Sequence, residues 1–482
     1  MSISPPTPIK ATKRYDAVVV GSGPNGFAAA ITVAERGGSV LLLEGSESLG
    51  GGMRTKELNL PGFHHDVCST AHPLGVSSPF FRKLPLADHG LEWIFAPSEL
   101  AHPLDDGSAV MLERSLDKTA AGLGVDGDIY REIMSPLLEH GDSLLEEILQ
   151  PILHLPKHPL LLAQFGLKAL RSADGFARAK FQGERARAIF GGIAAHSMIP
   201  LSHSGSSAIA LVLSMAGHLR GWPVAKGGSG SITQALRSYL ISLGGEIQTG
   251  RYVKSLRELP ASRWTFLDIT PKAFSEIAAN ELSESQKRSL IKFRYGGGVF
   301  KMDFALSDSV PWTAKECLRA ATVHLGGRLD EIAASERTAY EGRTPEKPYV
   351  LAVQSSLFDP SRAPEGKHTL WAYCHVPSGE NTSQEAVIEN QIERFAPGFK
   401  SKILAKSSLT PADFERYNPN YVGGDISGGA MSLKQTLFRP KASFSPYATA
   451  LPGVFLCSSS TPPGPGVHGM AGYHAALAAL GN

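Results

Sequence analysis

Four apolar residues running into the turn Gly21-Ser22-Gly23-Pro24-Asn25-Gly26 constrain this chain more than any other stretch of it. Residues 17–20 have the unbroken apolar character of a buried strand. Residues 27–36 continue in a helical pattern, Gly37 and Gly38 stop it, and residues 40–43 form a second apolar strand ending on Glu44. Strand, glycine turn, helix and strand are the parts of a dinucleotide-binding βαβ unit. Gly21 permits the tight turn, Gly23 leaves room for a pyrophosphate, and Gly26 lets the helix close on the strand. Ser22, Pro24 and Asn25 complete the turn, and the helix start offers free N–H groups and a positive dipole end to phosphates. Glu44, 23 residues after Gly21, stands where a carboxylate accepts ribose hydroxyls. That acid argues against a 2′-phosphate, so NADP is not expected. FAD and NAD both remain.

At 482 residues the chain is too long for one simple core, and two interleaved domains are expected. Hydrophobic content of 42% and charged content of 19% are those of a globular protein. A formal charge of +2 gives no case for nucleic acid as a partner. The four cysteines, Cys68, Cys317, Cys374 and Cys457, are far apart with no CxxC pair. They suit a reducing, cytoplasmic setting and exclude a dithiol centre of that type. Residues 1–13 read as a loose tail without a secretory apolar core. No run reaches the length of a bilayer span.

Beyond Glu44 and Gly45, the glycines Gly50, Gly51 and Gly52 precede Met53, Arg54 and Thr55. Neither a strand nor a helix accounts for such a run. It suits a second close approach of backbone to a phosphate-bearing ligand, with Arg54 supplying charge. GSGPNG, LLLEG and LGGGMRT together resemble the N-terminal signature of the flavin amine oxidase superfamily, which includes amine oxidases and phytoene desaturases. Residues 60–75 look like the phytoene desaturase-like branch, and within it most like the pyridine nucleotide-disulfide oxidoreductase domain-containing proteins. The resemblance implies FAD, not NAD, in the first site. It further implies that the segment after the arginine passes the flavin ring, which brings in Cys68, Ser69, Thr70 and His72. Taken by themselves, His64, His65 and His72 are histidines of a polar turn without metal-ligand spacing, so no metal is expected.

Residues 91–95 and Ala109–Leu112 read as strands of a substrate-domain sheet. From residue 117 to about 220 the pattern is helical, most clearly over residues 128–149. Residues 151–171 are apolar, carry Lys157, Lys168 and Arg171, and contain no acid. A membrane-surface contact and an ordinary pair of core helices are both open there. His196, His203 and His218 are expected as polar groups of a core or cavity. The glycines of residues 221–230 lack a clean strand before them and an acid after them, so no second nucleotide site is expected; they are similar to the family's return to its FAD domain. Residues 246–256 read as a strand pair, where the resemblance gives the Val253 backbone the adenine edge.

Alternation over residues 299–304 predicts a strand. Amine oxidases carry a lysine on a matching strand, ahead of a tryptophan, that holds a water at flavin N5. Lys301 ahead of Trp312 is similar to it; by itself Lys301 is a surface strand lysine. Strands over 349–355 and 368–375 and a helix over 384–395 complete that domain. Residues 453–480 resemble the family's closing flavin motif. There Gly466, Val467 and His468 would face the flavin pyrimidine oxygen at a helix start. Ser459 stands in a serine run where relatives often carry glycine and alanine, and hydroxyls would serve the ribityl chain.

The expected architecture is α/β: a doubly wound FAD-binding domain from residues 14–75, 222–295 and 440–482. It is interleaved with an α+β substrate domain, a mixed sheet plus helical cap, from residues 76–221 and 296–439. The expected activity is hydride transfer from a C–H bond of an apolar carotenoid, isoprenoid or lipid-like substrate to flavin, reoxidised by oxygen or a quinone. Amine oxidation through Lys301, and an FAD-bearing or membrane-peripheral interaction protein with little turnover, are the alternatives. Lys301 and His72 are the catalytic candidates; monomer and dimer are both open.

Overall fold

The structure is a computed structural model that describes residues 13–441 and 443–481; the expected tail, apart from Lys13, lies outside the described residues. Two sheets organise it. The first has five parallel strands in the order Val454–Leu456, Ser262–Leu267, Tyr15–Val20, Val40–Leu43 and Glu246–Gln248. Its central strand is buried on both faces, as its apolar run requires. Ala17, Val19, Val40 and Leu42 face the helices Pro24–Ala34 and Met470–Leu480. Val20, Leu267 and Leu456 pack instead on Phe274 and Ile277. The first and last helices approach so closely that a Cβ on Gly472 would lie 1.8 Å from the Asn25 carbonyl oxygen.

The second sheet has seven strands, ordered Ile403–Leu409, Gly298–Leu306, His368–Val376, Val350–Val353, Ala320–Leu325, Ser98–Pro103 and Ala109–Leu112. All pairs are antiparallel except Ser98–Pro103 with Ala320–Leu325. One face carries Phe300, Met302, Phe304, Leu370 and Ala372 into a core closed by Trp312 and the helix Glu385–Phe395. By strand alternation the other face carries Lys301, Asp303, Trp371, Tyr373, His375 and His324. The helical cap includes Gly127–Glu139, Glu184–Ala194 and Ser206–Leu219.

Several local expectations are corrected. Of residues 91–95 only Trp93–Ile94 is a strand, and it pairs with Val224–Ala225 outside the seven-stranded sheet. Residues 246–256 hold one strand, Glu246–Gln248, because Gly250 turns the chain at positive φ and Val253 sits in the loop beyond. The helix expected over 128–149 is two helices, Gly127–Glu139 and Gly141–Ile148, broken at His140.

Candidate active site

The glycine turn opens on a cavity of about 390 Å³ at the carboxyl ends of the parallel strands. Gly21, Ser22, Gly23, Pro24, Asn25, Glu44, Gly45, Gly51, Gly52, Arg54, Val253 and Ser459 line it. Gly21 has φ +99°, which a side chain would strain. A Cβ on Gly26 would stand 2.0 Å from the Gly21 carbonyl oxygen, so the helix packs onto the turn only with glycine there. A Cβ on Gly51 would come within 3.0 Å of Gly23 Cα, so the two glycine loops face each other bare. The first turn of the helix Pro24–Ala34 carries no acid. This cradle fits FAD: bare backbone for the pyrophosphate, Glu44 for ribose hydroxyls and Val253 in the lining just beyond Arg251, whose N–H donates to the Glu44 carbonyl.

Glu44 is held before any ligand arrives. The Ser22 N–H and hydroxyl donate to its Oε2, the former at 3.1 Å, and the Ser46 N–H donates to Oε1 at 2.8 Å. A carboxylate accepts about four hydrogen bonds, which leaves capacity for ribose. Arg54 is committed locally: Nε donates to the Leu49 carbonyl at 3.0 Å and Nη2 to the Ser48 carbonyl at 2.6 Å, with Glu44 3.4 Å away. Its charge therefore meets Glu44 as well as the cavity.

Sequence reasoning missed Asp268, which follows the strand Ser262–Leu267. The Gly26 N–H donates to its Oδ2 at 3.0 Å, and a Cβ on Gly23 would lie 2.5 Å from the same oxygen. Burial, helped by Glu44 and opposed by the Gly26 and Gly23 amides, raises this carboxyl to about 7. Nothing local marks it, because the turn it serves is 242 residues away. Tyr417 and Tyr421 were missed too. They line the cavity, and the Tyr417 hydroxyl donates to the Gly51 carbonyl at 3.2 Å.

The remaining expected residues sit behind or beside this cavity. Met53 is fully buried in the core. The Ser69 hydroxyl donates to the Gly52 carbonyl at 2.9 Å, and the Thr70 hydroxyl to Asp66 at 2.7 Å. Gly466, Val467 and His468 lie at the start of the last helix. The Met470 N–H donates to His468 Nδ1 at 3.1 Å, and the Ser78 hydroxyl donates to the His468 carbonyl at 2.6 Å. Ser458 and Ser460 spend their hydroxyls on the carbonyls of Ile269 and Gly428, while Ser459 lines the cavity. His72 is buried against Trp93 with both ring nitrogens unpartnered, and desolvation lowers it to about 4, so it is neutral.

Beyond Cys68 a charged layer joins this segment to the second sheet. Lys301 is buried and paired with Asp303, and its ammonium stands 5.7 Å from the Trp371 ring. Burial raises the Asp303 carboxyl to about 6 even though Lys301 pulls it down. Trp312, the tryptophan that follows Lys301 in the sequence pattern, is on the opposite face, where its Nε1–H donates to Gln354 at 3.0 Å. The aromatic beside the lysine is Trp371, brought there by the register Asp303↔Trp371. Asp66 is the second buried carboxylate. Burial alone would raise it, but Arg362, with Thr55, Thr70 and the Ser229 amide, holds it at about 2.

Further along the same face, His375 Nδ1 lies 2.8 and 2.9 Å from the Glu336 oxygens, while its Nε2 is buried without a partner. His196 and His324 meet through their Nε2 atoms at 2.9 Å, and desolvation lowers both, His196 to about 3. His218 meets the Tyr130 hydroxyl at 2.9 Å, and His203 packs on Tyr340.

Residues 19–84 match the family model described as an NAD(P)-binding Rossmann-like domain. Over 96% of its length the chain is 28% identical to the mouse (Mus musculus) pyridine nucleotide-disulfide oxidoreductase domain-containing protein 2, covering 92% of that protein. It is 23% identical to a lycopene-forming phytoene desaturase of Pseudescherichia vulneris over 53% of this chain and 55% of that one. Among solved structures, cyclohexylamine oxidase from Brevibacterium oxydans shares the fold at TM-score 0.61 and 15% identity, with 97% of this chain and 99% of that one covered. The cradle that fits FAD and the likeness to these proteins point the same way, to a flavin-binding fold similar over nearly the whole chain to the mouse protein and to cyclohexylamine oxidase.

Proposed function

We propose that the chain is an FAD-dependent oxidoreductase that removes hydride from a C–H bond of an apolar carotenoid, isoprenoid or lipid-like substrate, with oxygen or a quinone as final electron acceptor. Bound FAD would supply the hydride acceptor; the chain supplies orientation, exclusion of water and the place for a proton. The observation that carries this reading is the buried inner face of the seven-stranded sheet around Lys301. Its ions are paired off, Lys301 with Asp303 and Arg362 with Asp66, and the strand register sets Tyr373 and Trp371 beside Lys301 and Asp303, with Leu351 and Val353 next to them on the next strand of the sheet. A wall of aromatic and aliphatic groups whose charges cancel suits an uncharged, polarisable substrate. The desaturase relative supports the same class. His375, with Nδ1 held by Glu336 and Nε2 bare, is the group we assign to the proton, while His72, kept neutral by burial, is assigned to orienting substrate beside the flavin segment.

Anaerobic incubation of the FAD-loaded protein with carotenoid, isoprenoid, fatty-lipid and amine panels tests this. Bleaching of the flavin absorbance by the apolar compounds is expected. Bleaching by amines alone would favour the second reading, amine oxidation, for which the observation is Lys301 beside an aromatic ring. Bleaching by neither would favour an FAD-bearing interaction protein. All four cysteines are free and buried, which supports a cytoplasmic setting.

A further inference from the structure

Residues 149–173 contain no Asp or Glu and carry Lys157, Lys168 and Arg171. They form a loop and the helix Pro159–Ala169 on the outside of the helical cap. Only Phe165 and Ala169 of that helix are buried. Leu160 is 79% exposed, Leu167 77% and Leu170 52%, and the preceding loop adds Leu155 at 95% and Ile152 at 41%. Among the described residues, five of the fourteen exposed large hydrophobic side chains thus fall between positions 152 and 170. Single exposed leucines are ordinary, but a cluster marks a surface that something covers. Leu160 and Leu167 lie two helical turns apart and so share one stripe.

The charges say what covers it. The Lys157 ammonium is largely free in water, 4.0 Å from Glu146 on the neighbouring helix, and Lys168 lies in the last turn of its own helix. Leucines at a helix surface flanked by cations complement an anionic lipid bilayer. A second copy of the chain fits less well, since two such strips face to face would bring like charges together. Eleven residues make a helix of about 16 Å, which lies in a bilayer surface and does not cross it. Among the described residues no helix is long and apolar enough to cross a membrane.

We infer that residues 152–171 seat this protein on an anionic membrane, with the leucines at the acyl boundary and Lys157, Lys168 and Arg171 at the lipid phosphates. Attachment and flavin reduction are separate measurements, so either can fail alone. The test is flotation of the full FAD-loaded chain with vesicles of phosphatidylcholine, with and without phosphatidylglycerol. Strong flotation with the mixed vesicles, weakened by salt, is expected. The variant Leu155→Ser/Leu160→Ser/Leu167→Ser should keep its flavin spectrum and float roughly tenfold less. The variant Lys157→Gln/Lys168→Gln/Arg171→Gln should lose the preference for phosphatidylglycerol. Three results would overturn the inference. The parent chain stays in the aqueous fraction with both vesicles; the leucine variant floats as well as the parent; or the parent is a lipid-free dimer that the leucine substitutions split.

Discussion

Arg362 Nη2 donates to the Asp66 carboxylate at 2.9 Å although the two residues are 296 positions apart. The bond ties the segment behind the glycine–arginine loop to the loop between two strands of the substrate sheet, and both partners are buried. Breaking such a pair leaves an uncompensated charge, so Arg362→Met should cost about 3–5 kcal/mol by denaturant titration at neutral pH. The Asp66 carboxyl is held below its ordinary range, so its contribution is present above about pH 4 and lost as pH falls toward 2. The deficit of Arg362→Met should therefore shrink in acid. A deficit that stays constant from neutral pH to pH 2 would rule out this origin.

Asp268 has the opposite sign. Its carboxyl is raised to about 7 against an ordinary 3.8. The stability it contributes is full below about pH 4 and lost as pH rises through 7. The thermal midpoint of the FAD-free parent minus that of Asp268→Asn should fall over that window. The difference isolates Asp268 from histidines such as His72, whose lowered value has the reverse effect. FAD affinity of the parent should also weaken above pH 7, where an ionised Asp268 faces the pyrophosphate; Asn at this position should flatten that trend. Equilibrium dialysis at two pH values checks it.

The glycines of the turn should differ in severity. At Gly26 the obstruction is backbone, the Gly21 carbonyl, so Gly26→Ala should abolish FAD loading. At Gly23 it is the Asp268 side chain, so Gly23→Ala should load FAD weakly and Gly23→Ala/Asp268→Ala should recover. The flavin-to-protein absorbance ratio after purification reads all three variants.

Lys301→Met separates the two enzymatic readings. Bleaching of the flavin by an apolar substrate should survive it within about tenfold, since the lysine there serves chiefly to neutralise Asp303. Amine oxidation with peroxide release should be lost. The substitution also strips a buried carboxylate of its cation, so Lys301→Met/Asp303→Asn should be the more stable of the two variants by thermal melting.

The strand, turn and acid between Tyr15 and Glu44 were legible because every constraint there is local: apolar run, glycine positions and spacing. Ser98–Pro103 escaped because Glu99 and His102, on opposite faces of the strand, are both buried on partners that no local pattern reveals, Glu99 on Arg114 and His102 on the Gly327 carbonyl. Asp268 and Trp371 escaped for a related reason. Parallel pairing brings one to the glycine turn and antiparallel register brings the other to Lys301. Nearness in sequence does not bring Lys301 and Trp312 together, because strand alternation sends Lys301 to one face of the sheet while Trp312 packs in the core of the other.

The contact of Gly472 with Asn25 bears on how the chain is made. The strand Tyr15–Val20 is paired through Ser262–Leu267 to Val454–Leu456, and the helix behind it is covered by Met470–Leu480. A ribosome therefore releases the glycine turn early and the segments that enclose it hundreds of residues later. Until residue 472 has emerged, the first helix has an uncovered apolar flank. Cofactor loading is accordingly an event of the finished chain, and stalled or shortened products should collect as flavin-free material that depends on chaperones.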